Sequence, residues 1–160
     1  MPIVLPELHP CPFREIVSGA ADRWSMIEEA ELTLTVLNGR QYEIGQCLVI
    51  VKRHAPTLLD LNAVEHAAVL AAAARLGHAM SAAFDPDGIL LYQNNGIESG
   101  QEVPHFHLHV VPRRAGSDWG LGPPHLARLE QKARPAHLDH AVVTGEKRRT
   151  ANEIRAHLSR

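Results

Sequence analysis

Aromatic side chains are scarce, at 4% of 160 residues, so any core this sequence builds has to be mainly aliphatic. Cysteine occurs only twice, at Cys11 and Cys47, and neither lies in a C-x-x-C pair. A disulfide framework is therefore not expected, and reduced thiols fit an intracellular, cytoplasmic protein. Neither sign of charge dominates: the formal net charge is -2, which argues against bulk electrostatic binding to nucleic acid or to an acidic membrane. Long apolar runs are also missing. The alanine-rich stretch at 71–74 is broken by Arg75 and His78, short of a bilayer span. The first seven residues lack the basic and apolar regions of a signal peptide. No internal repeat or flexible linker is apparent.

What remains is a normal globular balance, 45% hydrophobic and 21% charged, over a length that suits one domain. The reading is a single domain over 1–160, with a core at about 11–113 and a C-terminal extension over 114–160. Residues 1–13 are proline-rich and read as an extended arm. Short strands are expected at 25–30 and 32–37, with Asn38-Gly39 at a chain reversal. The apolar run 47–51 reads as a buried strand. Asn62 followed by Glu65 resembles a capping box, and Val69, Ala73, Leu76, Met80 and Ala83 then recur at helical spacing. Asp85-Pro86-Asp87-Gly88 ends that helix. Strands at 89–93 and 103–112 follow, and a short helix is expected at 151–158. This order predicts an α+β fold, with an antiparallel sheet of about five strands and one long helix packed on it.

Histidine is abundant, with eleven residues, and its placement matters most. Residues 100–113 run Gly-Gln-Glu-Val-Pro-His-Phe-His-Leu-His-Val-Val-Pro-Arg. On a strand, His105, His107 and His109 would project from one face over roughly 13 Å, while Phe106, Leu108 and Val110 face the helix. Three aligned imidazoles suit phosphoryl or nucleotidyl transfer, where a neutral ring attacks and a protonated neighbour stabilises anionic oxygens. They also suit a metal site. Upstream, Asn94, Gly96, Gly100 and Gln101 form a loop whose glycines would let backbone N–H groups cradle a phosphate.

His-x-His-x-His followed by two apolar residues, after Gly-Gln-x-Val-x, resembles the histidine-triad (HIT-like) family of nucleotide hydrolases and transferases. Residues 45–54, Gly-Gln-Cys-Leu-Val-Ile-Val-Lys-Arg-His, are similar to that family's Gly-His-x-Leu-Val-Ile-Pro-Lys-x-His strand. The resemblance covers about 11–113. It implies a HIT-like fold, usually a homodimer, acting on a nucleotide or nucleotide conjugate without a cofactor. It implies that His107 attacks the α-phosphate to form a nucleotidyl-histidine, with His105 and His109 orienting it. It assigns Asn94, Gly100, Gln101, Glu102 and Val103 to phosphate contacts.

Four positions depart from the family pattern. Gln46 replaces a histidine beside the triad. Glu102 stands where a serine or threonine often serves the leaving group. Asn38 stands near an acidic residue that binds ribose hydroxyls. Arg14 replaces the second cysteine of the C-x-x-C found in zinc-carrying members, so no metal is expected. Asn38 and Gln46 are retained as substrate-binding candidates. Two other readings compete: a metal enzyme built on H-x-H, and a nucleotide-binding protein with weak or no turnover. Lys52, Arg53 and His54 read as a solvated strand end that also lies within reach of phosphates.

Overall fold

The computed structural model describes residues 3–20, 25–39, 41–117 and 144–158. Five strands form one antiparallel sheet: β1 (Met26–Glu29), β2 (Thr33–Leu37), β3 (Cys47–Val51), β4 (Gly88–Tyr92) and β5 (His107–Arg113), in the order β1-β2-β3-β5-β4. The expected α+β class and strand number hold. Alternation sorts the side chains. Cys47, Val49, Val51, Phe106 and Val110 join the main core beneath the long helix. Leu34, Val36, Leu48 and Ile50 face the other way. Strand β3 is buried on both faces, which is why its sequence is uniformly apolar.

The long helix α2 (Ala63–Phe84) starts as its sequence indicates. The Asn62 side chain accepts from the N–H groups of Val64 and Glu65, and Glu65 Oε2 accepts from Asn62 N–H at 2.9 Å. By length and composition α2 would serve as a membrane span, contrary to the sequence reading. It is instead a core helix: Val69, Ala72, Ala73, Leu76, Ala79 and Met80 are buried against the sheet, and Arg75 and His78 are exposed.

Glu65 has a second task. Its carboxylate takes both Nε and Nη2 of Arg53 at 2.8 Å, tying the segment after β3 to the start of α2. These bonds pull its pKa down to about 2. A carboxylate depressed in the fold contributes stability above its unfolded pKa of about 4.3, and that contribution is lost as pH falls toward 2. Glu65→Gln is expected to lower stability at neutral pH by about 1 kcal/mol and to flatten the acid limb of a urea-denaturation pH series. An unchanged acid limb would contradict this role.

Three boundaries differ from the sequence expectation. The arm ends early, because Pro12–Ser18 forms helix α1, with Pro12 pre-set for the first turn and Gly19 in the left-handed conformation closing it. The C-terminal helix α3 spans Thr144–Leu158 and begins well before residue 151. Within it, Ala151 and Ile154 join the main core, so this part of the extension belongs to the domain. Lys147 is nearly buried and donates to the Gly39 carbonyl at 2.9 Å. Strand β5 begins at His107 instead of residue 103.

Candidate functional site

That late start changes the geometry of the three histidines. His105 precedes β5, at a tight turn where its N–H donates to the Val103 carbonyl at 2.8 Å. The rings therefore do not stand in one even row along a strand, and each has its own surroundings.

His105 is fully buried. Its Nε2–H donates to the Val51 carbonyl at 2.7 Å. Nδ1 faces His54 Nδ1 at 3.3 Å and Cys11 Sγ at 3.6 Å. Burial, with lesser contributions from His54, His107 and Arg14, brings its pKa down to about 4. Burial therefore favours the neutral form of His105.

His107 Nδ1–H donates to the His105 carbonyl at 2.8 Å. A carbonyl can only accept, so the Nδ1 proton is fixed and Nε2 keeps its lone pair. Burial pushes the His107 pKa down and so disfavours the charged ring. Phe13 on α1 lies edge-on at 4.9 Å between ring centres, and His109 at 5.0 Å. His109 stacks flat on Tyr92, and its Nδ1 lies 3.0 Å from Gln46 Nε2.

The loop before β5 is held from within. Gly96 and Gly100 both take positive φ, and a side chain on Gly96 would strike Ile3 and the Val4 carbonyl. Asn94 Nδ2 donates to the Gly100 carbonyl at 3.2 Å. Gln101 turns inward: its Oε1 accepts from Gly96 N–H, and its Nε2 donates to the carbonyls of Pro56 and Val103. The N–H groups of Gly96, Ile97, Ser99, Gly100 and Gln101 are all engaged inside the protein. These five do not form the open anion nest expected from the glycine pattern. Glu102 is exposed and Val103 half-buried at the loop's exit, and Val103 packs with the residues on the triad face. Asn38 is half-buried at the end of β2, its N–H on the Gln46 carbonyl at 2.9 Å.

Sequence reasoning missed Phe13, Tyr92 and the full weight of His54. Cys11, His54 and His105 bring one sulfur and two nitrogens within 4.8 Å of one another. The Lys-x-His spacing after β3 was the available signal for His54. A cavity of about 500 Å³ opens beside this cluster, lined by Cys11, Arg14, His54 and Pro104 among others, and does not reach His107 or His109. Lys52 pairs with Glu29 at 2.9 Å, so it and Arg53 serve the fold. Trp119, His125, His137 and His140 lie outside the described residues.

A histidine-bearing β-strand, entered through a Gly-Gln loop and backed by one long helix, defines a histidine-triad protein. The chain belongs to the HIT family: the family model described as the HIT domain matches residues 23–116. It is 30% identical over 112 residues to Protein hit of Bacillus subtilis, covering 70% of this chain and 76% of that one. It is 30% identical over 104 residues to the adenylylsulfatase HINT3 of Arabidopsis thaliana, covering 65% of this chain and about half, 52%, of the relative. The crystal structure of a zinc-bound histidine triad family protein from Mycobacterium smegmatis superposes with a TM-score of 0.73 at 30% identity, covering 94% of each chain. Relatives within the family thus include a protein named as a nucleotide hydrolase.

Proposed function

We propose that this protein cleaves a phosphoanhydride or phosphoramidate bond at the α-phosphate of a nucleotide, through a covalent nucleotidyl-histidine on His107. The observation that carries this is the His107 Nδ1–H bond to the His105 carbonyl, which leaves the Nε2 lone pair for attack. In the first step Nε2 forms a bond to phosphorus, and the bond to the leaving group breaks with its electron pair. In the second, a water oxygen attacks phosphorus, the N–P pair returns to Nε2, and the water proton passes to solvent. Splitting one displacement into two is covalent catalysis.

Glu102 and Val103, at the loop's exit, and Asn94 are the positions assigned to phosphate contact. Gly100 and Gln101 shape that loop, and Asn38 is assigned to the nucleoside. A homodimer joined through sheet edges is supported by β4, which lies at one edge with Leu91 exposed. A cytoplasmic setting suits two free cysteines. The test is a panel of nucleoside phosphoramidates, dinucleoside polyphosphates, adenylyl sulfate and nucleotide sugars, with native protein and a His107 variant. Turnover by the native protein alone supports the reading, and equal rates remove His107 from it.

The cysteine-histidine cluster fits a structural zinc ion. A thiolate and two imidazoles are donors zinc favours, and the His105 Nε2–H bond to Val51 aims the Nδ1 lone pair at the cluster. Cys11, His54 and His105 would hold the ion. The ion would supply stability there. Full-length protein is expected to bind one equivalent of zinc. At a hundredfold excess over Kd the ion is expected to add about 2.7 kcal/mol, read as a Tm that falls on chelation. A Tm indifferent to chelator, with no metal by elemental analysis, would overturn this.

A further inference from the structure

Gln46 lies completely buried beneath the third histidine. Its Oε1 accepts the N–H of Tyr42 at 2.8 Å. A backbone N–H can only donate, so this bond fixes which way the amide points and turns its NH₂ group toward His109. That group lies 3.0 Å from His109 Nδ1 and 3.4 Å from the Tyr92 hydroxyl. An amide NH₂ donates and does not accept, so His109 Nδ1 is the acceptor and the ring proton sits on Nε2. The sheet register sets Tyr92 directly opposite His109, and the two rings stack at 4.2 Å with 4° between their planes. The ring is thereby fixed at its inner nitrogen and along one face. His107 meets it edge-on from the same strand.

We propose that Gln46 and Tyr92 are the positioning residues of His109, holding it as a neutral Nε2–H donor of a hydrogen bond to the reacting phosphoryl group. This rests on the reading that His107 attacks phosphorus. Protonating Nδ1 would set one N–H against another, so Gln46 opposes the imidazolium form. Among the described residues, the titratable and charged groups around the ring include His107 on β5, Tyr92 on β4 and Glu102, whose charge is felt at Tyr92. Leu48, opposite on β3, is uncharged.

A neutral donor steadies oxygen anions but does not hand over its proton. When the His107 N–P bond forms, the departing atom leaves with the bonding pair as an anion. This selects leaving groups that are stable anions at neutral pH. The substrate class is the mixed anhydride of a nucleotide α-phosphate with a strong acid, in preference to an amine or alkoxide conjugate.

Two measurements test the proposal on the full chain. Long-range ¹H–¹⁵N spectra of histidine-labelled protein at neutral pH report the tautomer without any substrate. A pyrrole-like Nε2 and a pyridine-like Nδ1 for His109, assigned by its loss in His109→Ala, are expected. An imidazolium or an Nδ1–H tautomer overturns the proposal. In kinetics with nucleotide aryl esters of graded leaving-group acidity, native protein is expected to slow steeply as the leaving group becomes more basic. Tyr92→Leu is expected to lose about tenfold in kcat with KM little changed, and Tyr92→Phe, which keeps the stack, to retain the native kcat. A shallow native dependence, or full kcat in Tyr92→Leu, overturns it. Failure of the protein to hydrolyse any nucleotide would instead count against the proposed function, and the tautomer would still decide the role of Gln46.

Discussion

His107→Ala is expected to reduce kcat/KM by about 10⁴-fold or more, the scale seen when a nucleophile acting as part of a unit is removed. The neighbouring rings are poorly placed to replace it. His105 has Nε2–H committed to Val51 and Nδ1 turned toward Cys11 and His54. His109 has its Nδ1 lone pair committed to Gln46 and carries its proton on Nε2. Rapid quench into alkaline denaturant, in which a histidine N–P bond survives, should trap a phosphorus-linked adduct on the native protein, with the mass of a nucleoside monophosphate less water, and none on the variant. The ring is buried, so folding of the variant should be checked by its near-UV spectrum. An adduct that persists in a folded variant would place the nucleophile elsewhere.

Gln101→Ala should have the largest effect on stability of any single change in the loop. One carboxamide closes three contacts, to Gly96 N–H at 2.6 Å and to the carbonyls of Pro56 and Val103 at 2.7 and 2.8 Å. At about 1 kcal/mol per bond, with a further cost for buried groups left unsatisfied, the loss should be about 2–4 kcal/mol. Urea denaturation measures it. Gln101→Glu is the sharper control. It keeps the shape but sets a carboxylate oxygen against two carbonyls, so it should be no more stable than the alanine variant. Both should also raise KM, because the loop they loosen leads into Glu102 and Val103. A glutamate variant as stable as the native protein would show that the loop holds its form by other means.

Much of this architecture was legible in the residues. The Asn62–Glu65 box marked the start of α2, because capping is local and needs only the two side chains. The helix-facing positions Phe106, Leu108 and Val110 were legible because alternation survives the change in strand length. Helix α1 was not, since four prolines in the first thirteen residues outweigh a short helix that is stabilised mainly by packing Phe13 and Ile16 on the sheet. The late start of β5 was hidden for a similar reason. His105 looks like a strand residue until Val51 and Cys11, distant in sequence, claim its two nitrogens. Gln101 was assigned to a ligand from its neighbours in the motif. The partners its side chain has in the fold lie across the loop and after β3, and no local pattern encodes them.

The arm at residues 3–11 has a practical consequence. Val4 receives the N–H of Ile97 at 2.9 Å, and Ile3 rests where Gly96 has no side chain. Ile3 and Val4 thus act as a clasp on the segment that leads to the three histidines. A fusion partner placed ahead of them, or a protease that trims them, would disturb a histidine cluster encoded far downstream. An affinity handle for biochemical work therefore belongs at the other terminus.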